Sequence, residues 1–297
     1  VDVGGTTVKI GLVENHKLID KYEIPTKKET LIKDICFSMQ EYIQKHHLKE
    51  PQGIGFGLPG MVIKNYIYKL PNIGLSEFDL EKEVKNYFPN TLIASSNDAN
   101  VAALGEMLYH KEYENACMIT IGTGVGGGIV LGGKVLEGSH GCAGEIGHMP
   151  IALEYGFPCT CGLTGCLETV ASATGVVRLA KYHYHEYHTK LKEPFTAKDV
   201  FDHAKKKDEL ASFVVDKVAF YLAKCIASIS LVADVDVCYI GGGVSKAGDI
   251  LIDAIKNHYQ KISHYGVKDL DIKLATLLND AGMIGAAGLL GDVDGSM

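Results

Sequence analysis

Two short segments about one domain apart read alike, and this repeat limits what the chain can fold into more than any other feature. Residues 2–13 read DVGGTTVKIGLV and residues 120–131 read TIGTGVGGGIVL. Each is a Gly/Thr-rich tight turn followed by an apolar run with strand character. A strand-turn-strand unit that recurs at this distance predicts a duplicated fold. Around the two units, strands alternate with helices. Periodicity predicts helices over 31–45, 98–109 and 246–259 and over most of 209–231, and short strands over 53–57, 92–95 and 237–240. Such alternation gives an α/β fold with mixed sheets. A length of 297 residues suits two domains of ordinary size. The polar run 111–115, just before Cys117, is the expected junction.

Charge and hydropathy exclude several classes. The net charge is −7 with no Lys/Arg stripe, which argues against a nucleic-acid backbone as partner, because that binding needs clustered cations. The longest apolar run, 218–235, is interrupted by Lys224 and ends near Asp234. It reads as a buried helix and not as a membrane span of about 18 or more residues. The first residues show no basic-then-apolar leader, so a cytoplasmic protein is expected. The chain opens on Val1-Asp2-Val3-Gly4-Gly5, which reads as the second half of a strand, so a few residues are expected to precede it.

The Gly-rich turns are candidates for phosphate. In Gly4-Gly5-Thr6-Thr7, glycines let backbone N–H groups approach an anion and threonines add hydroxyl donors. Asp2, at the end of the preceding strand, could hold Mg²⁺ through water. The same residues would also serve a plain hairpin. Gly122-Thr123-Gly124 opens a second cradle of this type, and two cradles favour a nucleotide held from both sides. Neither turn is a P-loop, since the G-x-x-x-x-G-K-[ST] pattern is absent. Gly241-Gly242-Gly243 follows a strand and precedes a helix. It could let an adenine or ribose lie against backbone, or simply make the turn. Asn97-Asp98 ends a strand and opens a helix, where Asp98 suits either an N-cap or a general base. Glu145 and His148 follow a turn-rich run and could present polar edges to a polyol.

The cysteines carry the most specific signal. Cys36, Cys117, Cys225 and Cys238 sit alone in apolar surroundings and read as core thiols, while Cys142 lies in a Gly-rich loop. Cys159, Cys161 and Cys166 fall within eight residues, and His148 precedes them by eleven positions. In a reducing compartment such a cluster is a metal site before it is a disulfide knot. Cys₃His is a closed structural zinc set, and it would hold His148 and Glu168 in one place. The run 182–188, YHYHEYH, reads as a surface segment of a helix that starts near Thr174.

These pieces in this order resemble the ROK family (repressors, open reading frames, kinases). The resemblance rests on Asp2-Val3-Gly4-Gly5-Thr6, Leu58-Pro59-Gly60, Asn97-Asp98-Ala99-Asn100, the Gly122 cradle, the Glu145-x-Gly-His148 motif, and Cys159-x-Cys161-Gly-x-x-Gly-Cys166-x-Glu168. It implies an actin-like ATPase fold, also called hexokinase-like, with two RNase H-like domains around a cleft. The domains would be 1–113, joined by a C-terminal helix over 282–297, and 114–281 with the zinc loop. The resemblance also implies a sugar site of Gly60, Asn97, Asp98, Glu145, His148 and Glu168, with Asp98 as base. It implies phosphoryl transfer from Mg-ATP to a hexose 6-hydroxyl by a homodimer. Family repressors carry a helix-turn-helix ahead of the first phosphate motif, where this chain starts, so no DNA-binding role is expected. Glucokinases of the family often carry a Trp near 71–75, and this chain has no Trp. The resemblance therefore extends to β-glucoside and N-acetylmannosamine kinases. The rival from another class is a non-catalytic sugar sensor, against which an intact Asp98 and both cradles argue.

Overall fold

The computed structural model describes residues 1–291. The chain divides into two compact units. One comprises Val1–Glu114, Gly128–Gly144 and the stretch from Leu277 onward; the other comprises Asn115–Gly127 and Glu145–Thr276.

The first part of the chain runs β1 (Asp2–Val3), β2 (Thr7–Glu14), β3 (Lys17–Pro25), α1 (Leu31–Lys45), β4 (Gly53–Leu58), β5 (Met61–Ile63), β6 (Tyr66–Lys69), β7 (Phe78–Asp79), α2 (Leu80–Lys85), β8 (Leu92–Asn97) and α3 (Asp98–His110). Five of these strands form a sheet in the order β3-β2-β1-β4-β8. β2 and β3 pair antiparallel, as do β1 and β2, whereas β4 runs parallel to β1 and β8 parallel to β4. β5, β6 and β7 make a small separate sheet. Val3, Val8, Ile10, Ile35, Phe56 and Leu58 fill a core shared with Val62 and Ile67 of the small sheet and Leu70 just beyond it. Removing such side chains from water is the main force that sets the register of these strands.

The chain continues through β9 (Ala116–Ile121), β10 (Val125–Leu131), β11 (Lys134–Val135), α4 (Glu168–Ala171), α5 (Ala173–Tyr182), α6 (Ala197–Ala204), α7 (Glu209–Ala233), β12 (Val237–Gly241), α8 (Asp249–Ile262), β13 (Asp271–Leu274) and α9 (Ala281–Gly288). The second sheet has the order β11-β10-β9-β12-β13. β12 lies parallel to both β9 and β13, so the order repeats that of the first sheet, with three strands contiguous in sequence followed by two parallel ones. The Gly-rich turns occupy equivalent places, between β1 and β2 and between β9 and β10, which is the duplication the sequence predicts.

Local chemistry sets the helix ends. Asp208 caps α7 by accepting from Ala211 N–H (3.1 Å), and Asp234 ends it in the left-handed region. The apolar run that includes Val218 and Leu222 is buried within this helix. Among the described residues no helix is long and apolar enough to cross a membrane. Two expected helices differ from the sequence reading. Gly243–Ala247 forms a 3₁₀ turn, and Gly248 (φ +76) separates it from α8, so the predicted start at Lys246 moves to Asp249. The helix that carries Tyr182 ends there, and His183, expected on the surface, is buried. The reason is a partner on each ring nitrogen: Nε2 lies 3.1 Å from Tyr155 Oη and Nδ1 lies 2.7 Å from Glu186 Oε2.

The helix expected over 282–297 is Ala281–Gly288; residues 292–297 lie outside the described residues. It packs on α3 at glycine contacts. A Cβ on Gly285 would stand 2.6 Å from Val101 C and 2.7 Å from Gly105 N, inside any tolerated contact with backbone. Only residues without a Cβ let the two helix backbones come this close.

Candidate active site

In the first unit the β1–β2 turn is closed by its own hydrogen bonds. Gly4 N–H donates to Thr7 O (2.9 Å), and Thr26 Oγ1 donates to Gly4 O (2.8 Å). Gly5 and Thr6 stay exposed at the apex. Asp2 opens the two-residue β1 that leads into this turn, with Lys9 Nζ 3.8 Å from its carboxylate. Burial pushes its carboxyl above the usual range, and Lys9 opposes that shift.

The start of α3 corrects one sequence alternative. Asn97, not Asp98, is the N-cap: it has extended backbone, and its side-chain oxygen accepts from Ala99 N–H at 2.8 Å. Asp98 is the first helical residue, with Oδ1 also 2.8 Å from Ala99 N, at the positive end of the helix dipole. The amide of Asn97 donates to Gly60 O (3.2 Å). Gly60, Asn97 and Asp98 are therefore one cluster, formed where β4 and β8 end.

In the second unit the predicted residues converge around β10. Gly122 N–H donates to Gly124 O (2.9 Å), and Ala173 N–H donates to Gly122 O (2.8 Å). Val125 N–H donates to Glu168 Oε2 (3.1 Å). A Cβ on Gly124 would collide with that carboxylate, coming within 3.3 Å of Cδ and closer still to Oε2. Gly147 packs against Val125 with no space for a side chain: a Cβ there would stand 3.0 Å from the Val125 carbonyl carbon. This contact fixes the 3₁₀ turn Ile146–His148, which leaves Glu145 exposed and His148 half-exposed. Gly242 (φ +83) lies against Ile121, the residue before the cradle, so Gly241-Gly242-Gly243 and Gly122-Thr123-Gly124 are neighbours.

His148, Cys159, Cys161 and Cys166 bring one donor atom each within 4.8 Å of one another. Their spacing can be tested against zinc. Tetrahedral bonds of ~2.3 Å to sulfur and ~2.0 Å to nitrogen give S···S edges of ~3.8 Å and S···N edges of ~3.5 Å. The Cys161–Cys166 sulfurs are 3.7 Å apart, and Cys159 Sγ is 3.5 Å from His148 Nδ1. The residues fit a zinc ion with no open position. Without a cation, burial, with Cys161 and Cys159 alongside, pushes the Cys166 thiol up to about 12 and keeps it protonated. His148 turns Nδ1 to this cluster and Nε2 toward Glu145, 3.9 Å away. Glu168 stands between the two systems, since Oε1 faces Cys159 Sγ at 3.7 Å while Oε2 holds Val125 N–H.

Sequence reasoning missed the supports of this cluster. Ser172 caps α5 by accepting from Gly175 N–H (3.0 Å) and donates to Glu168 O (2.7 Å). Thr174 Oγ1 donates to Thr123 O (3.2 Å). A Ser three residues ahead of Gly175 was a readable cap signal; the Thr174 contact had none. Behind the cysteine loop, Tyr155 stacks on Phe157 and meets His183, while Tyr221 Oη donates to Glu154 (2.5 Å).

The duplicated mixed sheet, with a Gly-rich turn at the same place in each half, has the actin-like ATPase fold. The chain belongs to the ROK family, whose model matches residues 1–293. It is 42% identical to a glucokinase of Halalkalibacterium halodurans, an alignment that covers 100% of this chain and 96% of that one. It is 29% identical to an N-acetylmannosamine kinase of Haemophilus influenzae, covering 99% and 95%. The solved ROK hexokinase from Thermus thermophilus superposes with a TM-score of 0.81 at 29% identity, covering 97% and 95%.

Proposed function

We propose that this ATP-dependent sugar kinase transfers the γ-phosphoryl group to the 6-hydroxyl of a gluco- or manno-configured hexose, with Asp98 as general base. The observation that carries the reading is the position of Asp98. Asn97 is the cap and anchors the strand end to Gly60, and Asp98 opens the rigid helix with its Oδ1 sharing the Ala99 N–H. A sugar hydroxyl that attacks phosphorus must lose its proton, and a positioned carboxylate accepts it. Asn97, Gly60, Glu145, His148 Nε2 and Glu168 bind the sugar in this reading. Asp2, Gly4, Gly5, Thr6, Thr7 and the Gly122 and Gly241 turns receive the nucleotide.

Mg²⁺ would be held through water by Asp2, a single carboxylate of the kind that ion prefers. When bound it neutralises charge on the β- and γ-phosphates. Zinc would be held by His148, Cys159, Cys161 and Cys166, and with four closed ligands it shapes the loop and takes no part in chemistry. The proposal includes a homodimer, checked by light scattering.

Glucose is the first acceptor to test, given the 42% identity to a glucokinase. The deciding experiment is an ADP-coupled assay on glucose, N-acetylmannosamine and β-glucosides. Turnover of at least one is expected; sugar binding without turnover of any would overturn the reading in favour of a sensor.

A further inference from the structure

The turn that joins α4 to α5 is bonded to Glu168 on one side and to the Gly122 cradle on the other. Ser172 Oγ, fully buried, donates to Glu168 O (2.7 Å) and accepts from Gly175 N–H (3.0 Å). Thr174 is exposed, and its Oγ1 lies 3.0 Å from Ser172 Oγ and 3.2 Å from Thr123 O. The two hydroxyls therefore link the Glu168 carbonyl to the Thr123 carbonyl through three oxygen–oxygen contacts. Two further bonds run alongside: Ala173 N–H donates to Gly122 O (2.8 Å), and Val125 N–H donates to Glu168 Oε2 (3.1 Å). All of these residues belong to one compact unit.

The supply of hydrogens gives this link more than one arrangement. Each hydroxyl has a single hydrogen to donate, so two hydrogens serve three contacts. With Ser172 bonded to Glu168 O, Thr174 can donate to Thr123 O or to Ser172 Oγ, but not to both. With Thr174 bonded to Thr123 O, Ser172 can donate to Glu168 O or to Thr174 Oγ1. The arrangement that grips both carbonyls leaves the two hydroxyl oxygens facing each other at 3.0 Å with no hydrogen between them. That repulsion makes it the arrangement that gains most when something else fixes its ends. A ligand that orders Glu168 favours it, and so does one that orders the cradle at Thr123.

Resting on the sugar and nucleotide assignments above, we propose that Ser172 and Thr174 are positioning residues that couple the two ligands. Sugar held at Glu168 and nucleotide held at the Gly122 cradle favour the same doubly gripped arrangement, so each tightens the binding of the other. By linkage the factor is the same in both directions. No covalent bond changes at either hydroxyl.

The test is calorimetric titration of a non-hydrolysable imido analogue of Mg-ATP, with and without saturating glucose. Wild type should bind the analogue about fivefold or more tightly when glucose is present. Thr174→Val keeps the branched shape at an exposed position and removes the hydroxyl. It should fold normally and lower that factor by about threefold, the effect of one ordinary hydrogen bond. Thr174→Ser, which keeps the hydroxyl, should retain the factor. A merely structural role would weaken each ligand by itself and leave the factor untouched. A factor in Thr174→Val within about 1.5-fold of wild type would overturn the coupling, as would two ligands that bind wild type independently. Amide hydrogen exchange over residues 121–126 separates this from failure of the nucleotide assignment. Glucose alone should slow exchange there in wild type and less so in Thr174→Val, even if the analogue does not bind; equal slowing in both would sink the proposal. A wild type that binds no sugar would overturn the kinase reading and the coupling with it.

Discussion

Gly122 and Gly124 lie in the same cradle, but only one of them has room for a methyl group. A Cβ on Gly122 would meet nothing within 4 Å, whereas one on Gly124 would strike the Glu168 carboxylate. To reach ordinary contact the carboxylate would have to retreat by about 1 Å. That movement would break the 3.1 Å bond from Val125 N–H, on a residue that is buried. A buried N–H losing a charged acceptor costs roughly 1.5–3 kcal/mol. At roughly 2–4 °C per kcal/mol for a chain somewhat shorter than this one, Gly124→Ala should melt several degrees below wild type while Gly122→Ala stays close to it. The clash also predicts non-additivity: with Glu168→Ala already present, adding Gly124→Ala should cost almost nothing. Calorimetry on the two single variants and the double-mutant cycle decides the matter. Equal melting of Gly122→Ala and Gly124→Ala, or additive losses in the cycle, would refute the argument.

Asp98→Asn should keep the fold, because Asn97 supplies the cap, but lower kcat by at least ~10²-fold; near-normal turnover would remove Asp98 as the base. Elemental analysis should find about one zinc per chain. Cys161→Ala should lose it, melt earlier and lose more of its affinity for sugar than of its affinity for ATP; active protein free of zinc would contradict the cluster's role. Gly285→Ala should cost about 3 kcal/mol in urea unfolding, because the added methyl meets Val101 backbone that cannot rotate away; a neutral effect would mean that α9 is free to shift.

The parts of the fold visible in the sequence were those with strong local causes. The helix over 31–45 has a clear apolar stripe, and its predicted ends match the structure. The cysteine spacing led to four donor atoms that lie within 4.8 Å of one another. Two errors had different causes. Gly248, two residues after Lys246, takes a positive φ and separates the turn from the helix, a local signal in the sequence. His183 looked like a surface residue of a polar run, but its burial depends on Tyr155, 28 positions earlier in the chain. Site geometry was legible as composition and not as connectivity. Glu145, His148 and Glu168 could be named, but which atom faces which could not.

In the reading proposed above, that connectivity would tie a zinc-binding loop to the turn that receives the nucleotide. Glu168 opens α4 and has one oxygen on the cradle backbone and the other on Cys159. His148 likewise divides its nitrogens, Nδ1 to the cysteines and Nε2 toward Glu145. Neither side chain is long or rigid enough to hold two orientations by its own rotamer preferences. Four donors fixed around one zinc ion would remove the rotational freedom of His148 and of the loop that carries Cys159, at a cost offset by metal–ligand bonds formed during folding. The polar atoms left over, Nε2 of His148 and the carboxylate of Glu145, are then preorganised before any sugar arrives. Preorganisation of this kind lowers the entropy lost on binding, so the ion should influence sugar affinity without touching sugar.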